Sequence, residues 1–408
     1  MSKQLIVVGG GAAGFFCAVN AARLNPGLKV VILEKTNKLL AKVKVSGGGR
    51  CNVTHACFDI TEMSRKYPRG SSFVKKAFYQ FFTTDTIKWF EEREVKLKEE
   101  ADGRMFPVTD SSQTIIDCLL AEAGKYNVDV LLSTEVKTID NDASSFTVQC
   151  TNGKTITGNY ICIACGGYPK SSMYEWLKKL GHSIEDPVPS LFTFNMPGNP
   201  IRELMGVSVD NARIKISGSK LEQEGPLLIT HWGMSGPAIL KLSAWGAGDM
   251  AIKNYHFKIV VNWLPAYNEQ KLAAKIQSLR FDIASQKLYN KNPFGLPGRL
   301  WEFLLGNAGI KQETRWADLS SREGNKLVKD LCNCEFEVKG KTTFKEEFVT
   351  AGGIKLNEID HTSMMSKKVP NLFFAGEILN VDGVTGGFNF QHAWTSGFIA
   401  AKKIAELP

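Results

Sequence analysis

Apolar residues in the first third of the chain fall into short runs separated by glycines and amphipathic stretches. Leu5 to Val8 ends in glycines and predicts a buried strand. Gly14 to Leu24 has helical spacing and stops near Asn25-Pro26-Gly27, and Lys29 to Leu33 predicts a second buried strand. These three form a β-α-β unit of about thirty residues, the signature of a parallel sheet. Residues 36–55 are glycine-rich and basic and predict a long loop facing a ligand. Helices are predicted over 73–82, 84–94 and 111–126, and a strand over Val128 to Leu132. Residues 135–158 alternate, with Asn152-Gly153 as a hairpin turn, and Tyr160 to Ala164 is again a buried strand, ended by Gly166-Gly167.

The pattern then changes. Residues 191–264 read as short strands and turns without β-α alternation. Helix-like stretches follow near 268–288, 298–306 and 321–331, and strand-like pieces return at 335–349. The last part holds a buried strand, Leu372 to Ala375, then glycines, then a long helix from about Asn389 to Glu406. Phe390, Trp394, Gly397, Ala401 and Ile404 form its apolar face. The fold class is therefore α/β. One domain is made of residues 1–190 and 350–408, interrupted by a β module (191–264 and 332–349) that itself carries a helical module (265–331).

Composition changes this picture little. The 408 residues are 43% hydrophobic and 22% charged, as in a globular protein with a real core. The net charge of +9 comes from scattered lysines and arginines, and no block of five or six like charges marks a nucleic-acid tail. No nucleic-acid partner is expected on that ground, and the excess suits an anionic cofactor or substrate. Nine cysteines show no disulfide framework. Cys162 and Cys165 are three apart on a strand and point to opposite faces, which suits neither zinc nor a redox disulfide, so no metal is expected. No run approaches a membrane span, and Leu5–Val8 is too short for a signal core; a cytoplasmic protein is expected.

Three motifs carry chemistry. The first is Gly9-Gly-Gly11-Ala12-Ala13-Gly14, between a predicted strand and helix. Gly9 permits the turn, Gly11 lets backbone approach a pyrophosphate, and Gly14 lets helix and strand pack closely. The diphosphate then sits on the helix N-terminus. Glu34 follows at the end of the second strand, where a carboxylate accepts bonds from ribose hydroxyls and repels a 2′-phosphate. Up to this point the site suits FAD and NAD equally. The second motif is Ser46-Gly47-Gly48-Gly49-Arg50-Cys51-Asn52, preceded by Lys42 and Lys44. A hydroxyl, a guanidinium and an amide among glycines can surround an anion. The third is Phe374-Ala-Gly376-Glu377, followed by Asp382-Gly-Val-Thr-Gly386-Gly387-Phe388-Asn389. It places a carboxylate at the C-terminal edge of the sheet, fit to hold ribityl hydroxyls. The helix start beyond it is fit to stabilise negative charge on a reduced flavin.

With these motifs together, the chain resembles the BaiN/YhiN-like family of FAD-dependent oxidoreductases, which includes aminoacetone-oxidase-like proteins. The resemblance rests on Gly9–Gly14, Glu34-Lys35, Lys42 through Thr54 and Gly103-Arg-Met-Phe-Pro107. It continues through Thr230-His-Trp-Gly-Met-Ser-Gly-Pro237, Val349–Ile354 and Phe374 through Gln391, and so spans nearly the whole chain. It implies a glutathione-reductase-like FAD-binding Rossmann domain with a β-barrel-like insertion and a small helical insertion. It also implies that Lys35 belongs to the cofactor site, that Val136 meets the adenine, and that Ala164 to Gly166 pass the adenosine half. The chain departs from the family pattern at Asn380, where an aspartate is expected, and at His392, where an aromatic residue is expected. His392 either sits near the flavin or faces away.

The expected activity is hydride transfer between the flavin and a small organic substrate, with NAD(P)H or dioxygen as the other redox partner. The alternative is a flavin-binding interaction or sensing protein. No second strand–GxGxxG–helix unit provides a nicotinamide domain, so NAD(P)H would dock transiently. His231, in the inserted module that is expected to roof the flavin, is the candidate to contact or protonate substrate. Cys51 lacks a resolving cysteine at motif spacing and reads as part of the cofactor grip.

Overall fold

The computed structural model describes residues 3–142, 145–342 and 349–408. The chain forms two compact units, Met1–Ser190 with Lys345–Pro408, and Leu191–Phe344. Of the strand-like stretch at 335–349, residues 343–348 lie outside the described residues.

The first unit is built on a five-stranded parallel sheet. Its order is Leu372–Phe374, Tyr160–Ile163, Gln4–Val8, Lys29–Leu33, Asp129–Leu131. Leu5, Ile6, Val7 and Val8 are all buried, as a strand covered on both faces requires. The helix Ala12–Leu24 packs against the last helix, Phe388–Glu406, so closely that a Cβ at Gly397 would stand 2.8 Å from the Ala13 carbonyl oxygen. An antiparallel sheet of Val136–Asn141, Phe146–Cys150 and Thr155–Gly158 carries the Asn152-Gly153 hairpin. Strands Ile184–Ser190 and Val349–Ile354 pair antiparallel. All nine cysteines are free.

Residues 41–49 depart from the expected loop. They form a helix, Ala41–Gly49, broken at Ser46 and turned left-handed at Gly47 and Gly48. Its glycines hid the preceding turn, which buries Val43.

The second unit is a seven-stranded sheet in the order Cys334–Lys339, His256–Asn262, Ser208–Ile216, Glu222–Ile229, Gly233–Ser235, Thr193–Asn195, Lys341–Thr342. The two edge strands are neighbours in sequence, joined at Gly340, so one continuous segment pairs at both edges and closes the sheet into a barrel. Helices Pro237–Trp245 and Ala247–Ile252 were not expected in what reads as strands and turns. Pro237 opens the first of them, the position where proline suits a helix. The helical module comprises Glu269–Asp282, Gly298–Ala308 and Ser321–Cys332. Asn268 caps the first, and Ser320 with Glu323 forms a capping box on the third. Trp263, Trp301 and Trp316 are buried in the core of this unit.

Candidate functional site

Gly9 and Gly14 take the turn and packing places that the spacing predicts. Gly9 has φ +113°, and a Cβ there would come within 2.5 Å of the Ala164 carbonyl oxygen. A Cβ on Gly14 would overlap the Gly9 carbonyl oxygen. Gly11 is different: among the described residues, nothing lies within 4 Å of its Cβ position. It is the N-cap of the helix Ala12–Leu24, whose first turn carries no acidic residue. The first intrahelical bond runs from Phe15 N–H to the Gly11 carbonyl at 3.0 Å, so the N–H groups of Ala12, Ala13 and Gly14 point out of the helix. An open glycine before three outward N–H groups is a seat for an anion.

Glu34 is held in one orientation. One carboxylate oxygen accepts from Gly10 N–H at 2.9 Å, and the other from Thr36 N–H at 2.9 Å and its hydroxyl at 2.8 Å. A cavity of about 190 Å³ opens beside it, lined by Glu34, Lys35, Val136, Cys165, Tyr168, Met173 and Trp176 among others. The Lys35 ammonium lies 5.5 Å from the Tyr168 ring centroid. Tyr168, Met173 and Trp176 were not singled out from sequence. Their signal was an aromatic-rich stretch directly after the strand-ending Gly166-Gly167.

The Gly376-Glu377 segment faces the same helix N-terminus. Gly376 has φ +74°, and a Cβ there would stand 2.7 Å from Ala13 Cβ. Two side chains of the last helix hold its peptide groups. Gly376 N–H donates to Ser396 Oγ at 2.9 Å, and the Gly376 carbonyl accepts from His392 Nε2 at 3.2 Å. Glu377 accepts from Thr350 N–H at 2.8 Å and pairs with Lys42 Nζ at 2.5 Å. Lys42 therefore neutralises Glu377. Gly166, at φ +76°, places its Cβ position 3.9 Å from the Glu377 carboxylate.

The Ser46–Asn52 segment is split in its use. Gly48 and Gly49 have nothing within 4 Å of their Cβ positions among the described residues, while a Cβ on Gly47 would stand 2.7 Å from the Phe106 ring. Ser46 Oγ donates to the Val43 carbonyl at 3.0 Å. The Arg50 guanidinium stacks 4.0 Å over Phe106 and pairs with Glu100 at 2.5 Å, so it serves the strand Arg104–Pro107 rather than an open cradle. Cys51 is fully buried, and burial pushes its thiol up to about 12, which keeps it protonated at neutral pH. In the orientation that satisfies both neighbours, the Asn52 amide donates to the Thr54 carbonyl and accepts Gly387 N–H, each at 2.9 Å.

Gly387 is the N-cap of the last helix, which again has no acidic residue in its first turn. The Gly386 carbonyl meets His55 Nδ1 at 3.0 Å, and the Phe388 carbonyl accepts from the Tyr67 hydroxyl at 2.6 Å. Asn389 bonds both the N–H and the carbonyl of Gly383, closing the glycine loop on itself. His231 lies in the second unit, exposed at a hairpin tip, with its carbonyl accepting from Arg202 Nε at 2.6 Å.

His392 is buried and turned to the Gly376 carbonyl. Burial pulls its pKa down to about 4, so it is neutral at physiological pH. A depressed histidine stabilises the fold above its unfolded value of 6.5, and that contribution is lost as pH falls toward 4. His392→Phe is therefore expected to lose less stability than wild type between those pH values. The difference is at most roughly 3 kcal/mol, read from urea unfolding curves of the two proteins across the range.

The residues fit a dinucleotide with sugar hydroxyls. Thr350 Oγ1, Asn380 Oδ1 and His392 Nδ1 are buried and have no hydrogen-bond partner among the described residues, and all belong to or contact the segment Gly376–Asn380. Buried polar atoms are normally paired, and a bound polyhydroxyl chain is one source of partners.

A family model described as HI0933-like protein Rossmann domain matches residues 3–403. The chain is 30% identical to a ribosomal RNA dihydrouridine synthase of Escherichia coli (strain K12), over 98% of this chain and 97% of that protein. It is 25% identical to a 3-dehydro-bile acid delta(4,6)-reductase of Clostridium scindens, over 100% of both. Among solved structures, a 3-ketosteroid-delta4-(5alpha)-dehydrogenase from Rhodococcus jostii RHA1 aligns with a TM-score of 0.52 at 13% identity, covering 99% of this chain and 97% of that one; this likeness concerns the fold. Among the described residues, no helix is long and apolar enough to cross a membrane, and no cluster of His, Cys, Asp and Glu is arranged to hold a metal.

Proposed function

The chain belongs to the HI0933-like family, and we propose that it is an FAD-dependent oxidoreductase that saturates a carbon–carbon double bond conjugated to a carbonyl, with a uracil base of RNA as substrate. The observation that carries the cofactor reading is the open Gly11 seat at an uncapped helix start, with a second glycine-capped start at Gly387. Bound there, FAD supplies two-electron hydride exchange between NAD(P)H and the double bond.

The protein's own residues bind and orient. The N–H groups of Ala12, Ala13 and Gly14 take the diphosphate, Glu34 the ribose, and Val136 with Ala164 and Gly166 the adenosine side. Glu377, with its charge balanced by Lys42, takes the ribityl chain. The helix start at Gly387-Phe388-Asn389 favours negative charge at its tip. Gly48 and Gly49 leave room beside Ser46, the Cys51 N–H closes the turn on the Ser46 carbonyl, and Asn52 fixes the loop to Gly387. His231, on the second unit, is the candidate to contact or protonate the substrate.

The names of the relatives support the bond type. Dihydrouridine is uridine with two hydrogens added across the double bond next to a ring carbonyl, and a 3-dehydro delta(4,6) substrate carries double bonds conjugated with its ketone. RNA leads because its relative is the more identical of the two. Charge agrees: residues 191–344 hold 20 Lys and Arg against 14 Asp and Glu, in a chain whose totals are 50 and 41. A folded basic face needs no charge run, so the scattered lysines do not argue against RNA. The second reading, a small steroid-like enone, is favoured by the full-length match to the bile acid reductase.

Purified protein is expected to be yellow and to bleach anaerobically with NADH or NADPH. It is then expected to convert uridine to dihydrouridine in ribosomal RNA taken from cells lacking the gene, read by nucleoside mass spectrometry. Unchanged RNA with reduction of a steroid dienone would establish the second reading. Rapid reoxidation by dioxygen alone would make it an oxidase, and a colourless protein that refuses FAD would overturn both readings.

A further inference from the structure

We propose that the hairpin tip His231–Trp232, with Arg202 and Arg299 beside it, is a platform on which the second unit stacks an unpaired base of single-stranded RNA. The proposal rests on the RNA reading above and adds the surface that would take the strand.

The tip is rigid for its size. Strands Glu222–Ile229 and Gly233–Ser235 pair antiparallel, and Thr230 and Gly233 exchange backbone bonds at 2.8 and 3.2 Å, leaving only His231 and Trp232 in the turn. Both turn carbonyls are tied back. That of His231 accepts from Arg202 Nε at 2.6 Å, and that of Trp232 from Met196 N–H at 2.7 Å. With the backbone held, the two side chains are presented outward. His231 is exposed and Trp232 partly so, and their ring centroids are 3.5 Å apart with planes tilted by 43°. None of the three ring nitrogens makes a hydrogen bond among the described residues. An indole backed by an imidazole is a poor choice for a solvated turn, but it is what base stacking needs.

The surroundings supply cations. Arg202 lies in the short turn Pro200–Leu204, and Arg299 opens the helix Gly298–Ala308. Arg299 donates to the carbonyls of Glu203 and Met205 at 2.5 and 3.3 Å, which brings its guanidinium to the same turn. Met205 between them is 56% exposed. Rings, an exposed apolar side chain and two guanidinium groups form the combination with which proteins hold unstacked nucleotides without reading a duplex. A protein partner would not require the basic excess of this unit.

The test uses the full-length holoprotein and a fluorescein-labelled twelve-residue oligouridylate. Wild type is expected to bind it with an affinity that falls as KCl rises, and in preference to a duplex RNA of the same length. Trp232→Ala is expected to weaken binding about tenfold, and Trp232→Phe to restore most of it. Arg202→Gln is expected to weaken binding and flatten the salt dependence. Wild-type binding unchanged in both Trp232→Ala and Arg202→Gln would overturn the platform, and dihydrouridine formation in the same samples would show that the RNA reading survives it. Absence of both binding and dihydrouridine in wild type would remove the proposal together with that reading.

Discussion

Gly11→Asp is expected to weaken FAD binding sharply while leaving the apoprotein as stable as wild type or slightly more so. Gly11 sits at φ −93° and ψ −171°, extended backbone that any residue adopts, and the space before its Cβ is open among the described residues. An aspartate there is a favoured N-cap. Its carboxylate would accept the outward N–H groups of the first turn and complement the helix dipole, worth a few tenths of a kcal/mol over glycine. The same carboxylate occupies the anion seat and repels a diphosphate. Losing two charge-assisted hydrogen bonds at roughly 1.5–3 kcal/mol each weakens FAD by about a hundredfold or more. Flavin absorbance relative to protein after purification, and FAD titration of the apoprotein, measure the loss, while thermal melting of the apoproteins measures the fold. Gly14→Ala is the contrasting control. Its Cβ would overlap the Gly9 carbonyl, so it should lower apoprotein stability as well. A yellow Gly11→Asp protein with wild-type FAD content would remove the diphosphate from this helix.

The contrast between Gly11 and Gly14 shows what the sequence made legible. Spacing alone assigned one glycine to packing and another to ligand approach, because those roles are fixed by the local strand–turn–helix geometry. The place of Glu34, at the end of the second strand with its carboxylate on Gly10 N–H, was legible for the same reason. What depends on partners distant in sequence was not. Arg50 reads as an anion-binding guanidinium until Phe106 and Glu100, fifty or more residues on, are seen to hold it. Lys42 reads as free charge until Glu377 arrives from the other end of the chain. Tyr168 and Trp176 have no periodicity that marks them, and their place beside Glu34 follows from how the strand end at Ala164 lies against Gly9. The helix start at Pro237 was lost among strand-like neighbours. Barrel closure turns on Gly340, one residue between two strands that pair at opposite edges.

Arg69→Met is expected to destabilise the protein by about 3–5 kcal/mol at neutral pH, the range for stranding a buried charge. Asp382 has no exposed surface. Both its oxygens accept from Arg69, through Nε and Nη2, and one also accepts from the Ser190 hydroxyl at 2.8 Å. Burial raises the Asp382 carboxyl above its ordinary 3.8 even with the guanidinium present. Removing Arg69 takes away the main opposing influence and raises it further, leaving Ser190 as its remaining donor among the described residues. The sign of the pH dependence follows. A carboxyl whose folded pKa lies above its unfolded value stabilises the fold below the unfolded pKa, and that stability is lost as pH rises through the folded pKa. The deficit of the variant should therefore grow from pH 5 to pH 7.5 in urea unfolding. Adding Asp382→Asn should recover part of it and flatten the pH dependence, because no charge is then stranded, and the double-mutant cycle separates this pair from other contacts of Arg69. The same carboxylate ties the strand ending at Ser190 to the loop leading into Gly386-Gly387. The single variant should therefore also lose FAD more readily than wild type on dilution. A deficit below about 1 kcal/mol, the scale of an exposed pair, or one equal at both pH values, would mean that water reaches Asp382 and that the loop is held by Asn389 and Asn52 instead.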